Sequence, residues 1–140
     1  MAFVVNKACN GRYVAVVGGV NVDIGGRPFG PLVAKDSNPG KVTVTLGGVG
    51  RNIAHNMSLI GIPVKFFTAI GDDIYADRIV KSCEELCIDI TGAKKVKGGM
   101  TSTYLFIADS GGDMAAAVSD SFLSILTCSR SLWSALLLHA

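Results

Sequence analysis

A chain of 140 residues, 49% hydrophobic and 17% charged, is long enough for one packed domain and too apolar to stay disordered. Its 13 basic and 11 acidic residues leave a formal net charge of +2, with only Lys94, Lys95 and Lys97 clustered, which excludes the broad basic field that a nucleic-acid or anionic-membrane surface needs. The first ten residues carry no long apolar core of a secretory signal, and Cys9, Cys83, Cys87 and Cys128 form no paired framework, so a reduced, cytoplasmic thiol set is expected.

Residues 13–17 form a continuous apolar run closed by Gly18-Gly19, as expected of a strand buried on both faces of a parallel sheet. Asn21 and Asp23 follow at its carboxyl end, the edge at which open α/β sheets bind ligands. The other reading of this pair is an Asx turn. Residues 24–40 are rich in glycine and proline. Residues 42–46 then alternate valine or leucine with threonine, which fits either a half-buried strand that closes over something or a plain edge strand.

The stretch 47–61 organises the chain. Gly47, Gly48 and Gly50 let the backbone take positive φ and come close to a ligand, and Ile53, Met57 and Ile60 then recur at helical spacing. Gly61 suits a left-handed cap, and Pro63 stops the ladder. Free N–H groups at the helix start face the glycine turn. Asn52, in the first turn, offers both donors and acceptors and so suits a polyhydroxylated ligand. Arg51 either reaches a base or phosphate or stays solvated, while His55 and His139 lack any partner pattern. Two glycine motifs are excluded: the dinucleotide fingerprint would need glycine at Ile53, and a Walker loop would need Lys-Ser/Thr where Arg51-Asn52 stand.

Residues 64–70 read as a second core strand ending at Gly71-Asp72-Asp73. A helix with Ala76, Ile79, Val80, Cys83, Leu86 and Cys87 on one face follows, then a short third strand at 88–90. Strand, helix, strand, helix, strand makes two right-handed crossovers and a parallel sheet. Cys83 and Cys87 have no His or second Cys pair near them, so both are expected to be buried apolar thiols, not metal ligands. Residues 101–108 and 114–119, joined by a glycine-rich turn, predict an antiparallel hairpin. The segment 121–140 breaks the pattern, and its central Arg130 and its serines argue against a membrane span.

Taken in order, Gly18-Gly19-Val20-Asn21-Val22-Asp23, Asn38-Pro39-Gly40, the run Gly47-Gly48-Val49-Gly50-Arg51-Asn52-Ile53-Ala54, Gly61 and Gly71-Asp72-Asp73 resemble the signatures of the PfkB family of carbohydrate and nucleoside kinases. The resemblance covers residues 13–120. Arg51 before Asn52, together with the Ala117-Val118-Ser119-Asp120 end, looks most like the pseudouridine kinases. It implies an α/β fold: the N-terminal half of a ribokinase-like three-layer parallel sheet, with a small β-strand lid from residues near 24–46 and 101–119.

The implied activity is transfer of the ATP γ-phosphate to a hydroxyl of a ribosyl nucleoside or sugar. Pseudouridine comes ahead of a simple sugar, because Val49 stands where ribokinases carry a lysine that touches the sugar. Carried over by motif, the substrate-binding residues are Asn21, Asp23, Gly47, Gly48, Val49, Gly50 and Asn52, with Thr103 or Ser119 approaching from the hairpin. The family's catalytic aspartate sits in a Gly-Ala-Gly-Asp type motif beside a nucleotide site in a second half. No Gly-x-Gly-Asp occurs here, so no catalytic or metal residue is assigned. ATP and Mg²⁺ would then serve the complete enzyme without binding this chain well. The chain is thus expected to be a truncated form, inactive alone, whose segment 121–140 is an unrelated end such as a shifted frame or alternative exon would give. Its lid strands are a candidate homodimer surface. The rival reading is a non-catalytic fragment or a sugar- or nucleoside-binding module.

Overall fold

The computed structural model describes residues 12–121. The expectations for Cys9, Cys128 and His139 and for nearly all of segment 121–140 lie outside those residues.

The body begins with β1 (Val14–Val17), which pairs in parallel with β4 (Val64–Phe67) in the register Val14↔Val64 to Val17↔Phe67. Between them runs α1 (Val49–Leu59), capped at its end by Gly61 at φ 80, the left-handed value predicted from the sequence. The side buried by α1 differs from the expected one. Gly50 and Ala54 are buried, Met57 partly so, while Ile53 and Ile60 are exposed. A helix packed closely against a sheet needs small residues at the contact, so the glycine–alanine stripe turns inward and the larger Ile53 and Ile60 are displaced to the flank.

Val16, Ala54, Val64, Phe66, Ile70, Ala76, Ile79, Cys83 and Ile88 form the core, with Phe66 fully buried. The β1 expectation needs correction: only Val16 is buried, and Val17 is 51% exposed. Among the described residues α1 covers one face of β1 and nothing covers the other.

The second unit is built from β5 (Ala69–Ile70), α2 (Ile74–Glu85) and β6 (Lys94–Lys95), with β5 and β6 parallel. The face of α2 is as expected for Ala76, Ile79 and Cys83, but Cys87 is exposed at φ 55, past the helix end. The strand expected at 88–90 shrinks to a single bridge, Lys65↔Asp89. The Asp89 carboxylate accepts from the Thr91 N–H (2.9 Å) and hydroxyl (2.6 Å), which turns the chain out of the ladder. Pairing resumes at the two lysines of β6.

The remaining strands make a separate four-stranded sheet in the order β3-β2-β7-β8, where β2 is Asn21–Pro28, β3 Gly40–Gly47, β7 Thr103–Ala108 and β8 Met114–Asp120. β2 pairs antiparallel with β3 and parallel with β7, and β7–β8 is the predicted hairpin. Asn21 and Asp23 therefore lie on a strand, so the Asx-turn reading is set aside. This sheet is the lid, and Asp73 fastens it to the body. Its carboxylate accepts from the Ala76 N–H (2.9 Å) as the α2 cap, and from the Thr101 N–H (2.7 Å) and hydroxyl (2.7 Å) just ahead of β7.

Candidate functional site

Side chains on a strand alternate between faces, so Asn21 and Asp23, two apart on β2, project to the same side of the lid. Register partners share that face, which places Thr45, Asp23, Tyr104 and Ser119 in one cross-strand row. Below this row a hollow of about 540 Å³ opens between lid and body. Asn21, Asp23, Gly48, Val49, Gly50 and Asn52 line it, joined by Ser102, Tyr104, Ser119 and Asp120.

Two expected residues do not line it. Thr103 belongs to the alternate set on β7, in the row of buried Val22, so its neighbours Ser102 and Tyr104 take its place. Gly47, opposite Asn21 on the same face, leaves the space that the Asp23 carboxylate fills, and a Cβ there would run into that carboxylate. The sequence carried hydroxyl residues at Ser102 and Tyr104, but only the phase of the strand shows that they face the hollow, while Asp120, paired with Thr103, reaches it at the end of β8.

The glycine turn has a second task besides approach to a ligand. Gly48, at φ 94, is the N-cap of α1, and a Cβ there would lie 2.6 Å from the Gly19 carbonyl oxygen. A Cβ on Gly50 would lie 2.8 Å from the Gly18 Cα, and the Arg51 N–H donates to the Gly19 carbonyl (3.2 Å). These contacts press the start of α1 onto the end of β1, so the two segments form one wall of the hollow.

The electrostatics favour a neutral ligand rich in hydroxyls. Asn21 Nδ2 donates to Asp23 Oδ1, which fixes the carboxylate. Burial pushes the Asp23 carboxyl above its ordinary value, and the Asn21 hydrogen bond pulls part of the way back. Among the described residues Arg51 does not line the hollow and is held at its edge, donating to Asn52 Oδ1 (3.4 Å) and to Ser82 Oγ on α2 (3.3 Å). What faces the cavity is a set of carboxylates, carboxamides and hydroxyls, with an aromatic ring at Tyr104. Such groups can accept hydroxyl protons and donate to ring oxygens, and they oppose an anion. Among the described residues no group of three or more His, Cys, Asp or Glu gathers to hold a metal ion, and no helix is long and apolar enough to cross a membrane.

The chain is similar to known proteins in sequence and in fold. The chain is 37% identical over 112 residues to the pseudouridine kinase of Escherichia coli K12, covering 80% of this chain and 36% of the relative. It is 28% identical over 106 residues to the guanosine-inosine kinase of Exiguobacterium acetylicum, covering 76% and 35%. Among solved structures, a Clostridium perfringens protein described as a sugar kinase superposes with a TM-score of 0.79 at 30% identity, over 89% of this chain and 39% of that one. The ribokinase of Giardia lamblia gives 0.70 at 22% identity, over 77% and 35%, which speaks for the fold alone. The chain thus spans about a third of the length of the relatives it matches. With the pfkB family carbohydrate kinase pattern matching residues 12–122, and the ribokinase-like fold shared with these structures, the chain belongs to the pfkB family of carbohydrate kinases.

Proposed function

We propose that this chain is the acceptor-binding part of a phosphotransferase that acts on a ribosyl nucleoside, pseudouridine foremost. The observation that carries the reading is the convergence of Asp23, Asn21 and Asn52 on one hollow with the Tyr104 ring in the Asp23 row. A carboxylate held by Asn21 accepts two ribosyl hydroxyls, Asn52 meets a neighbouring oxygen, and Tyr104 offers a flat surface to the base. Each charge-assisted hydrogen bond in such a site contributes about 1.5–3 kcal/mol. In the complete enzyme, ATP with Mg²⁺ supplies the phosphoryl group. The residues of this chain orient the acceptor, and their share of the work is positioning.

A cytoplasmic setting, which leaves Cys83 and Cys87 as thiols, accords with the reading. The partner we infer is a second copy docking on the outer lid face, where Val42, Leu105, Ile107 and Val118 are exposed together.

Titration of the 140-residue chain with pseudouridine, uridine and free ribose, followed by calorimetry, tests the assignment. Pseudouridine should bind best. Asp23→Asn should weaken it roughly tenfold or more, and Tyr104→Ala should reduce nucleoside binding while leaving ribose unchanged. Equal binding of pseudouridine to wild type and Asp23→Asn would sink the assignment.

A further inference from the structure

The face of the lid that carries Asp23 continues past the nucleoside hollow into a second cavity of about 510 Å³, lined by Gly25, Arg27, Phe29, Lys41, Thr43 and Phe106 among others. Its chemistry is the reverse of the first. Arg27 and Lys41 are direct register partners on β2 and β3, so two cations stand side by side on one face. Like charges directly opposed in an antiparallel pair repel. Among the described residues the ion pairs are Lys65–Asp89 and Lys95–Asp72, so neither Arg27 nor Lys41 is in a direct ion pair. Arg27 Nη2 donates to the Ser110 carbonyl (2.8 Å), which holds the guanidinium across the sheet toward the β7–β8 turn and leaves its other donors for a ligand.

The apolar part is equally specific. The Phe106 ring lies over Gly25, where a Cβ would collide with it, so the ring sits down on the sheet next to the cations. Phe29 stands at the rim and is 80% exposed. A hollow of this volume, with a flat aromatic floor and two cations at one side, matches a small molecule that joins a planar ring to an anionic group.

We propose that this outer hollow is a second binding site, for an organic phosphate of the nucleoside monophosphate class, with the phosphate between Arg27 and Lys41 and the base against Phe106 and Phe29. A phosphate monoester carries close to two negative charges at neutral pH and accepts from both side chains, relieving their mutual repulsion. The inner hollow, with its carboxylates, turns such a ligand away. The two ends of one lid face thereby separate a neutral nucleoside from its phosphorylated form.

Ligand-observed NMR titration of the 140-residue chain with uridine monophosphate, uridine and inorganic phosphate tests this. Uridine monophosphate should bind more tightly than either component, with an affinity that falls as salt is raised, and Lys41→Gln should weaken it roughly fivefold. Phe106→Leu should weaken uridine monophosphate and leave inorganic phosphate unaffected. Asp23→Asn should leave uridine monophosphate binding intact, which separates this site from the nucleoside assignment. Inorganic phosphate binding as tightly as uridine monophosphate would overturn the proposal, as would unchanged affinity in Lys41→Gln or loss of binding in Asp23→Asn.

Discussion

Single side chains settle two matters that can be measured directly. Thr68 is fully buried between β4 and β5, and its hydroxyl has no hydrogen-bond partner among the described residues. An unmatched buried hydroxyl costs about 1–3 kcal/mol, so Thr68→Val should stabilise the chain by about 1 kcal/mol, read as a higher urea midpoint at constant slope. A lower midpoint would show that the hydroxyl has a partner after all.

Asp23 gives the pH dependence of the proposed binding. Its folded pKa lies above 3.8 because burial opposes the charge. Ribosyl hydroxyls donate to the ionised form, so nucleoside affinity should be level near neutrality and fall as the pH drops through that raised value. The decline should begin at a higher pH than an ordinary aspartate would give. Affinity that stays flat down to pH 4 would remove the carboxylate from the binding step.

At the level of strands and helices, the Asp73 connection dominates. Asp73 caps α2 and at the same time holds Thr101, so Asp73→Ala should cost about 1–2 kcal/mol and loosen the β7 entry. Burial raises the Asp73 pKa, but hydrogen bonds from Thr101, Ala76 and Tyr75 outweigh it, and the folded value lies below 3.8. Its contribution is complete above pH 3.8 and is lost as the pH falls through the lower folded value. Wild type should therefore lose stability in that acid range more steeply than the alanine variant, as thermal melts at successive pH values would show.

Elements whose period or cap is local were legible in the sequence: α1 with its Gly61 stop, the inward face of α2, and the β7–β8 hairpin. The strand β2 was hidden. Gly25, Gly26, Arg27 and Pro28 carry little strand preference of their own, and that segment is extended because β3 and β7 pair it on both sides and the Phe106 ring fills the space over Gly25. Asn21, Asp23 and Asn52, named from their motifs, line the candidate hollow, whereas the lining from β7 could not be read from the sequence. There the choice between Thr103 and Tyr104 depends on a register fixed by non-local pairing.

For the molecule as a whole, the lid has two unlike faces. The inner one carries the polar rows described above. The outer one leaves Val42 at 68% and Val118 at 67% exposure, beside Leu105 and Ile107. An apolar patch of that kind favours self-association, so the wild-type chain should form dimers or larger species by light scattering. Val42→Lys with Val118→Lys should shift it to monomers without affecting nucleoside binding. A wild-type chain that stays monomeric at high concentration would refute the docking of a second copy.

The close approach of Gly18 and Gly50 also separates two kinds of selection. In cells screened only for the amount of intact protein, with no demand for ligand binding, every replacement at these two positions should vanish from a variant library, because even one added carbon has no room. Asp23 should tolerate many replacements in that screen and few in one that requires nucleoside binding. Deep mutational scanning under both regimes would therefore sort architecture from chemistry around the same hollow.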